Sequence, residues 1–185
     1  MIIGNPKKFA LYFEKATYIE SMNDFDCFCG YFLNGKKYVS DNTTMLFTQK
    51  ESILFSALAN IVDAEDYFHM SLADCFIEML QLRFFNHIAE SEEEYIDKEW
   101  LDEPEDLRFS AELESSMFGT ERFELFCVGY GSSARIIAYT QPTTNFFPIN
   151  NLDSYALEEV IVSKDDLKEI IEQVKFGEFN LDESL

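Results

Sequence analysis

The sequence predicts an α+β fold, an antiparallel sheet of hairpins with helices packed on one side. Three observations predict it. "GYFLNGKKYVS" sets Asn34-Gly35 between two apolar-rich runs, and Asn-Gly suits a two-residue hairpin turn because both positions need positive φ. "RFELFCVGY" and "ARIIAYT" flank a Gly131-Ser132-Ser133 turn and form a second hairpin. Elsewhere apolar residues recur at helical spacing.

Taken in order, Phe9–Thr17 ("FALYFEKAT") is short, aromatic-rich and preceded by Gly4-Asn5-Pro6, which predicts a strand after a turn. The Asn34-Gly35 hairpin follows. From Gln49 to Val62, Ile53, Leu54, Leu58, Ile61 and Val62 make one buried helical stripe. Ser71 to Phe84 repeats the pattern with Leu72, Phe76, Leu80 and either Ile77 or Phe84. "LRFSAELE" alternates, with Leu107, Phe109, Ala111 and Leu113 on one strand face. After the second hairpin and a loop with Pro142 and Pro148, "EVIV" is a last strand. In "SKDDLKEIIEQV", Ser163 caps a helix, Asp165 and Asp166 favour its positive end, and Leu167, Ile170, Ile171 and Val174 face inward. Residues 1–185 are expected to form one domain, with an acidic segment at 90–106 and a frayed tail at 177–185.

Composition limits the function classes. The 185 residues are 47% hydrophobic and 16% aromatic, far from the make-up of disordered chains, although the formal net charge is −21. With 35 acidic against 14 basic side chains, nucleic acid and anionic membrane are disfavoured as ligands. The apolar run near the start is cut by Glu14 and Lys15, too short for a signal peptide, and no segment reaches the ~18 apolar residues that span a bilayer. A cytosolic protein is expected. Cys27, Cys29, Cys75 and Cys127 lie in apolar surroundings, as buried reduced thiols do.

Catalytic patterns find little support. His69 and His87 have no HxxxH or HxH spacing, there is no CxxC pair, and Cys27-x-Cys29 fits core thiols better than a metal site. Neither GxGxxG nor GxxxxGK[ST] occurs, and "GYGSS" fits a turn better than a phosphate cradle or a nucleophile elbow. No metal or cofactor is expected. Carboxylate pairs are too abundant here for their mere presence to indicate hydrolysis.

The acidity concentrates. "EEEYIDKEWLDEPED", Glu92 to Asp106, holds nine carboxylates, one lysine and the sole tryptophan. Ser91 with Glu94 matches a capping box, and Pro104 ends the segment, which predicts a helix from Glu92 to Asp102. The first acids then sit well against the helix dipole, whereas Glu99, Asp102 and Glu103 sit where cations belong. Those later acids lack a folding explanation. A solvated face, with Ile96 and Trp100 as core anchors, is one account. The other is a contact surface for a basic protein, in which aromatic rings give affinity and charges give steering. Its candidate residues are Tyr95, Asp97, Glu99, Trp100, Asp102, Glu103 and Asp106.

The opening "MIIGNPKKFALYFEK", the "GYFLNGKKY" and "GYGSSARIIAY" hairpins and the closing "EVIVSKDDLKEIIEQV" resemble the immunity protein 42 family. Members are encoded beside polymorphic toxins, including those of contact-dependent growth inhibition. The resemblance implies a protein that binds and neutralises a cognate toxin in the cytosol without catalysis. No catalytic or toxin-contact residue carries over with it. The charge adds that the toxin is basic, as nucleases are. An acidic adaptor or nucleic-acid mimic directed at another basic protein is the alternative, and a carboxylate-pair hydrolase a third.

Overall fold

In the computed structural model, Asn34 and Gly35 take φ of 51° and 86° and join β3 (Asp24–Leu33) to β4 (Lys36–Met45), with Leu33 opposite Lys36. The structure describes residues 1–101, 106–113, 123–140 and 146–177, without the side chains of 40–42, 112–113 and 123–124. Ahead of this hairpin run β1 (Ile2–Gly4) and β2 (Phe9–Ile19), and the four strands pair antiparallel in chain order. Gly30 stands where the β3–β4 register shifts. A Cβ there would lie 2.0 Å from the Tyr38 carbonyl oxygen, so glycine alone lets the strands close.

The second sheet is β5 (Ser110–Leu113), β6 (Phe123–Tyr130), β7 (Ser133–Thr140) and β8 (Glu158–Ser163), again antiparallel in chain order. The class is α+β, as expected, but the strands divide into two four-stranded sheets. Helices are α1 (Leu46–Phe55), α2 (Glu65–His69), α3 (Leu72–Phe84), α4 (Glu92–Asp97) and α5 (Lys164–Phe176). None of them is long and apolar enough to cross a membrane, among the described residues.

Two cores share the second sheet. Leu125, Cys127, Ala134 and Ile136 face the first sheet, where Phe9, Leu11, Phe13, Tyr31 and Leu33 join α1 and α5. Phe126, Val128, Ile137 and Tyr139 face the other way, onto Phe76, Met79, Leu80 and Phe84 of α3. β7 is therefore buried on both faces, which explains why "ARIIA" shows no polar alternation. Helices lie on both faces of this sheet, not on a single side. Asn34 Nδ2 donates to the Glu159 carbonyl at 3.0 Å and Lys36 pairs with Glu158 at 2.9 Å, so the first hairpin's tip is tied to β8.

Three predicted elements shift for local reasons. The helix expected over Gln49–Val62 runs instead from Leu46 to Phe55. It stops because the Ser56 hydroxyl donates to the Ile53 carbonyl at 2.7 Å and Asn60 Nδ2 donates to the Leu54 and Ser56 carbonyls, capturing its last acceptors. Ala57 N–H then reaches Ser110 O at 3.0 Å, joining the chain to β5. β5 itself begins only at Ser110, so Phe109 turns into the α3 core while Ala111 enters the other, and Leu107 is 56% exposed. The second turn is Gly131-Ser132, since Ser133 already pairs with Tyr130.

By contrast α3 and α5 start where expected. Ser71 and Ser163 accept from the N–H of Asp74 and Asp166, and Leu167, Ile170 and Val174 are buried, with Ile171 packed at the edge.

Gln49 on α1 is fully buried, and neither of its amide atoms has a hydrogen-bond partner among the described residues. Desolvating an unpaired amide is unfavourable, and methionine fills nearly the same shape. Gln49→Met is expected to raise stability by about 1 kcal/mol. The check is the midpoint of urea unfolding, which should rise at constant slope.

Candidate functional site

The acidic segment is built onto the end of α3. After Phe84 comes a 3₁₀ turn, Phe85–His87, and then a short parallel bridge between Ile88 and Phe147, closed by Phe147 N–H to His87 O at 2.8 Å. Glu90 fastens this junction: its carboxylate accepts from the N–H of Ile149 at 3.1 Å and of Asn150 at 3.2 Å. The first acid of the run is thus structural.

Ser91 Oγ accepts from Glu94 N–H at 3.2 Å, as a capping residue does. Glu94 reaches back to Glu90 N–H at 2.9 Å, one residue earlier than the usual reciprocal bond. The helix ends at Asp97, not at Asp102, and Lys98 is extended at φ −69°, ψ 132°. Ending there moves the unfavourable placement against the helix dipole from Glu99 to Asp97, the last helical residue. Lys98 Nζ donates to the carbonyls of Phe85 at 2.6 Å and Ile88 at 2.8 Å. Leu101 is held by Asn86, whose side chain donates to Leu101 O and accepts from Leu101 N–H, each at 3.0 Å.

Between these two attachments stands Trp100, 53% exposed. Its ring meets His87 at 5.1 Å and Tyr95 at 5.8 Å, both edge to face. Tyr95 also approaches Phe146 at 6.0 Å, and its hydroxyl lies 3.3 Å from His87 Nδ1. Aromatic pairs at such separations are mutually attractive and fix one another's orientation. Ile96 at 71% and Leu101 at 53% exposure extend the apolar surface, so Ile96 is not the core anchor one account required.

Of the seven candidate contact residues, the structure brings Tyr95 and Trp100 into contact and leaves Asp97 and Glu99 exposed. Glu92, Glu93, Asp97 and Glu99 have no hydrogen-bond or ion-pair partner among the described residues. Asp106 differs: Arg108 Nε donates to both its carboxylate oxygens, and Nη2 to Oδ2 at 2.6 Å. Hydrogen bonding from Arg108 holds the Asp106 carboxyl below its ordinary range. Its small contribution to stability is therefore present above the unfolded value near pH 4 and is lost as pH falls through the lower folded value. Asp102 and Glu103 lie outside the described residues. Sequence reasoning missed Asn86, His87, Lys98 and Phe146. Only Lys98 had a signal, as the lone cation of the run.

Other chemistry-bearing groups do not assemble. Among the described residues no three His, Cys, Asp or Glu side chains group as metal ligands. His69 is exposed and packs edge-on to Tyr130 at 4.9 Å. All four thiols are free and buried. Cys27 and Cys29 lie 3.1 Å apart, and that hydrogen bond, with burial, pushes Cys29 up. Burial pushes Cys75 to about 11 and Cys127 to about 12, so these are poorly nucleophilic core groups.

Among known proteins, the family model described as Immunity protein 42 matches residues 1–176. The crystal structure of CdiI from Burkholderia dolosa AUO158 is similar at a TM-score of 0.65 and 22% identity, covering 95% of this chain and 98% of that one. At that identity the likeness is one of fold. No curated protein matches the chain.

Proposed function

The chain belongs to the immunity protein 42 family, and from that premise we propose that it neutralises a cognate toxin by binding the toxin's C-terminal domain, without chemistry of its own. The toxin is basic, the complex forms in the cytosol, and the acidic face around Trp100 supplies part of the contact. Tyr95, Asp97, Glu99, Trp100, Asp102, Glu103 and Asp106 belong to that contact, Asp106 at its margin because Arg108 already offsets its charge.

One observation carries the reading: rings that a core anchor would bury stand half open in a segment whose exposed carboxylates at Asp97 and Glu99 have no partner among the described residues. Exposed aromatic and apolar side chains in one patch are the usual centre of a binding surface, and unpaired charges around it steer an opposite partner. A fold that needed only solubility would gain nothing from exposing Trp100, Ile96 and Leu101 together.

Reversing charge at Asp97 and Glu99 (D97K/E99K) is expected to slow association with the cognate toxin domain by about tenfold at low salt, with the gap closing as salt rises. Stopped-flow association at two ionic strengths is the measurement. An unchanged rate at low salt would reject this face as the contact.

A further inference from the structure

Lys98 is the sole Lys or Arg between Arg83 and Arg108, and the fold turns it inward onto the carbonyls of Phe85 and Ile88 at 2.6 and 2.8 Å. Its charge is spent on the end of the 3₁₀ turn. What remains outward is anionic, with Asp97 and Glu99 exposed on either side of the withdrawn lysine in the chain and Glu99 adjoining Trp100 in sequence. Three residues on from Lys98, the two bonds between Asn86 and Leu101 pin the other end of the segment.

The short stretch 98–101, which belongs to no helix or strand, is therefore a strap fastened at both ends, with Trp100 between the fastenings. Its ring is propped by His87 at 87° and by Tyr95 at 67°, contacts that orient it and still leave 53% of the residue open. An indole held at fixed orientation in a stretch whose exposed carboxylates have no partner among the described residues has a definite complement. A guanidinium is planar, stacks on aromatic faces, sheds water more readily than an ammonium, and can fork its N–H groups onto a carboxylate.

We propose that the 98–101 strap is a preordered receptor for one arginine side chain of the toxin, which stacks on Trp100 and hydrogen-bonds to the carboxylate of Asp97 or Glu99. Asn86 and Lys98 are positioning residues: they touch no partner and hold the ring where the arginine meets it. Ordering the strap before binding removes an entropic cost that a floppy acidic loop would bear on association. The proposal rests on the reading of this face as the toxin contact.

Because Trp100 is the sole tryptophan, labelling the full chain with 5-fluorotryptophan gives one ¹⁹F resonance that reports on the strap alone. Titration with the cognate toxin domain, followed in parallel by calorimetry, should shift that resonance to saturation at the calorimetric stoichiometry. Trp100→Leu should weaken binding about tenfold or more, and Trp100→Phe should retain part of the affinity. Asn86→Ala should weaken it about threefold with an unchanged salt dependence, since no charge is lost, whereas Glu99→Gln should flatten the salt dependence. N-acetyl-arginine amide should move the resonance further than the lysine analogue at equal concentration. A calorimetrically formed complex that leaves the resonance unmoved overturns the strap proposal while toxin neutralisation stands. Equal shifts from the two amides overturn the guanidinium assignment, and absence of any complex with the wild-type chain overturns the underlying reading as well.

Discussion

Arg135→Met is expected to lower the unfolding free energy by about 3 kcal/mol, the largest loss anticipated from a single charged residue in this chain. Arg135 is 4% exposed although it lies in the middle of β7. Its guanidinium is fully engaged: Nε and Nη2 meet the Glu159 carboxylate at 2.7 and 2.6 Å, and Nη1 donates to the carbonyls of Tyr67, Phe68 and Met70. Those carbonyls end α2, so one side chain joins the second sheet to the segment that leads into α3. Removing it strands three acceptors and a carboxylate at once, and only the carboxylate, at 39% exposure, can turn to water easily. Glu159→Gln should cost less, about 1 kcal/mol, because the carbonyls still hold the guanidinium. Urea unfolding of both variants checks the order. A loss for Arg135→Met no greater than for Glu159→Gln would show that the carbonyl contacts contribute little.

Phe76→Ala is expected to cost about 3–5 kcal/mol through the cavity it leaves, and Phe76→Leu about 1 kcal/mol. Phe76 is fully buried at the centre of the α3 core, with ring centroids 5.0 Å from both Tyr139 and Tyr155 and 6.2 Å from Phe126. These rings cannot collapse into the gap, since Phe126 and Tyr139 already stack on each other at 5.4 Å. The variant also tests whether residues 1–185 behave as one domain. The second sheet belongs to both cores, so unfolding should remain a single transition with unchanged denaturant slope. A separate early transition in Phe76→Ala would show that the α3 core melts alone.

Much of the fold follows from short-range chemistry that the sequence states openly. Asn34-Gly35 admits positive φ at two successive residues, so its hairpin is where local conformation alone puts it. Ser71 and Ser163 cap α3 and α5 because a hydroxyl ahead of an amphipathic run has waiting N–H groups. Where expectation and structure part, a partner distant in sequence or an overlooked local acceptor decides. Periodicity alone predicts a helix as far as Val62, but Asn60 and Ser56 take the last carbonyls of α1 and Ala57 pairs with Ser110. The capping box and Pro104 predict an acidic helix to Asp102, but Lys98 finds the carbonyls of Phe85 and Ile88 and the helix stops at Asp97.

The sequence by itself determined the α+β class, the hairpins, the caps, the reduced thiols and the concentration of charge around one tryptophan, because each depends on neighbours a few residues away. Only the tertiary structure decided that the strands divide into two sheets, that β7 is buried on both faces, and that Trp100 stands outward between the Lys98 and Asn86 attachments. Those outcomes depend on which backbone carbonyls and which apolar faces remain unsatisfied after local structure has formed. Period and composition do not record that remainder.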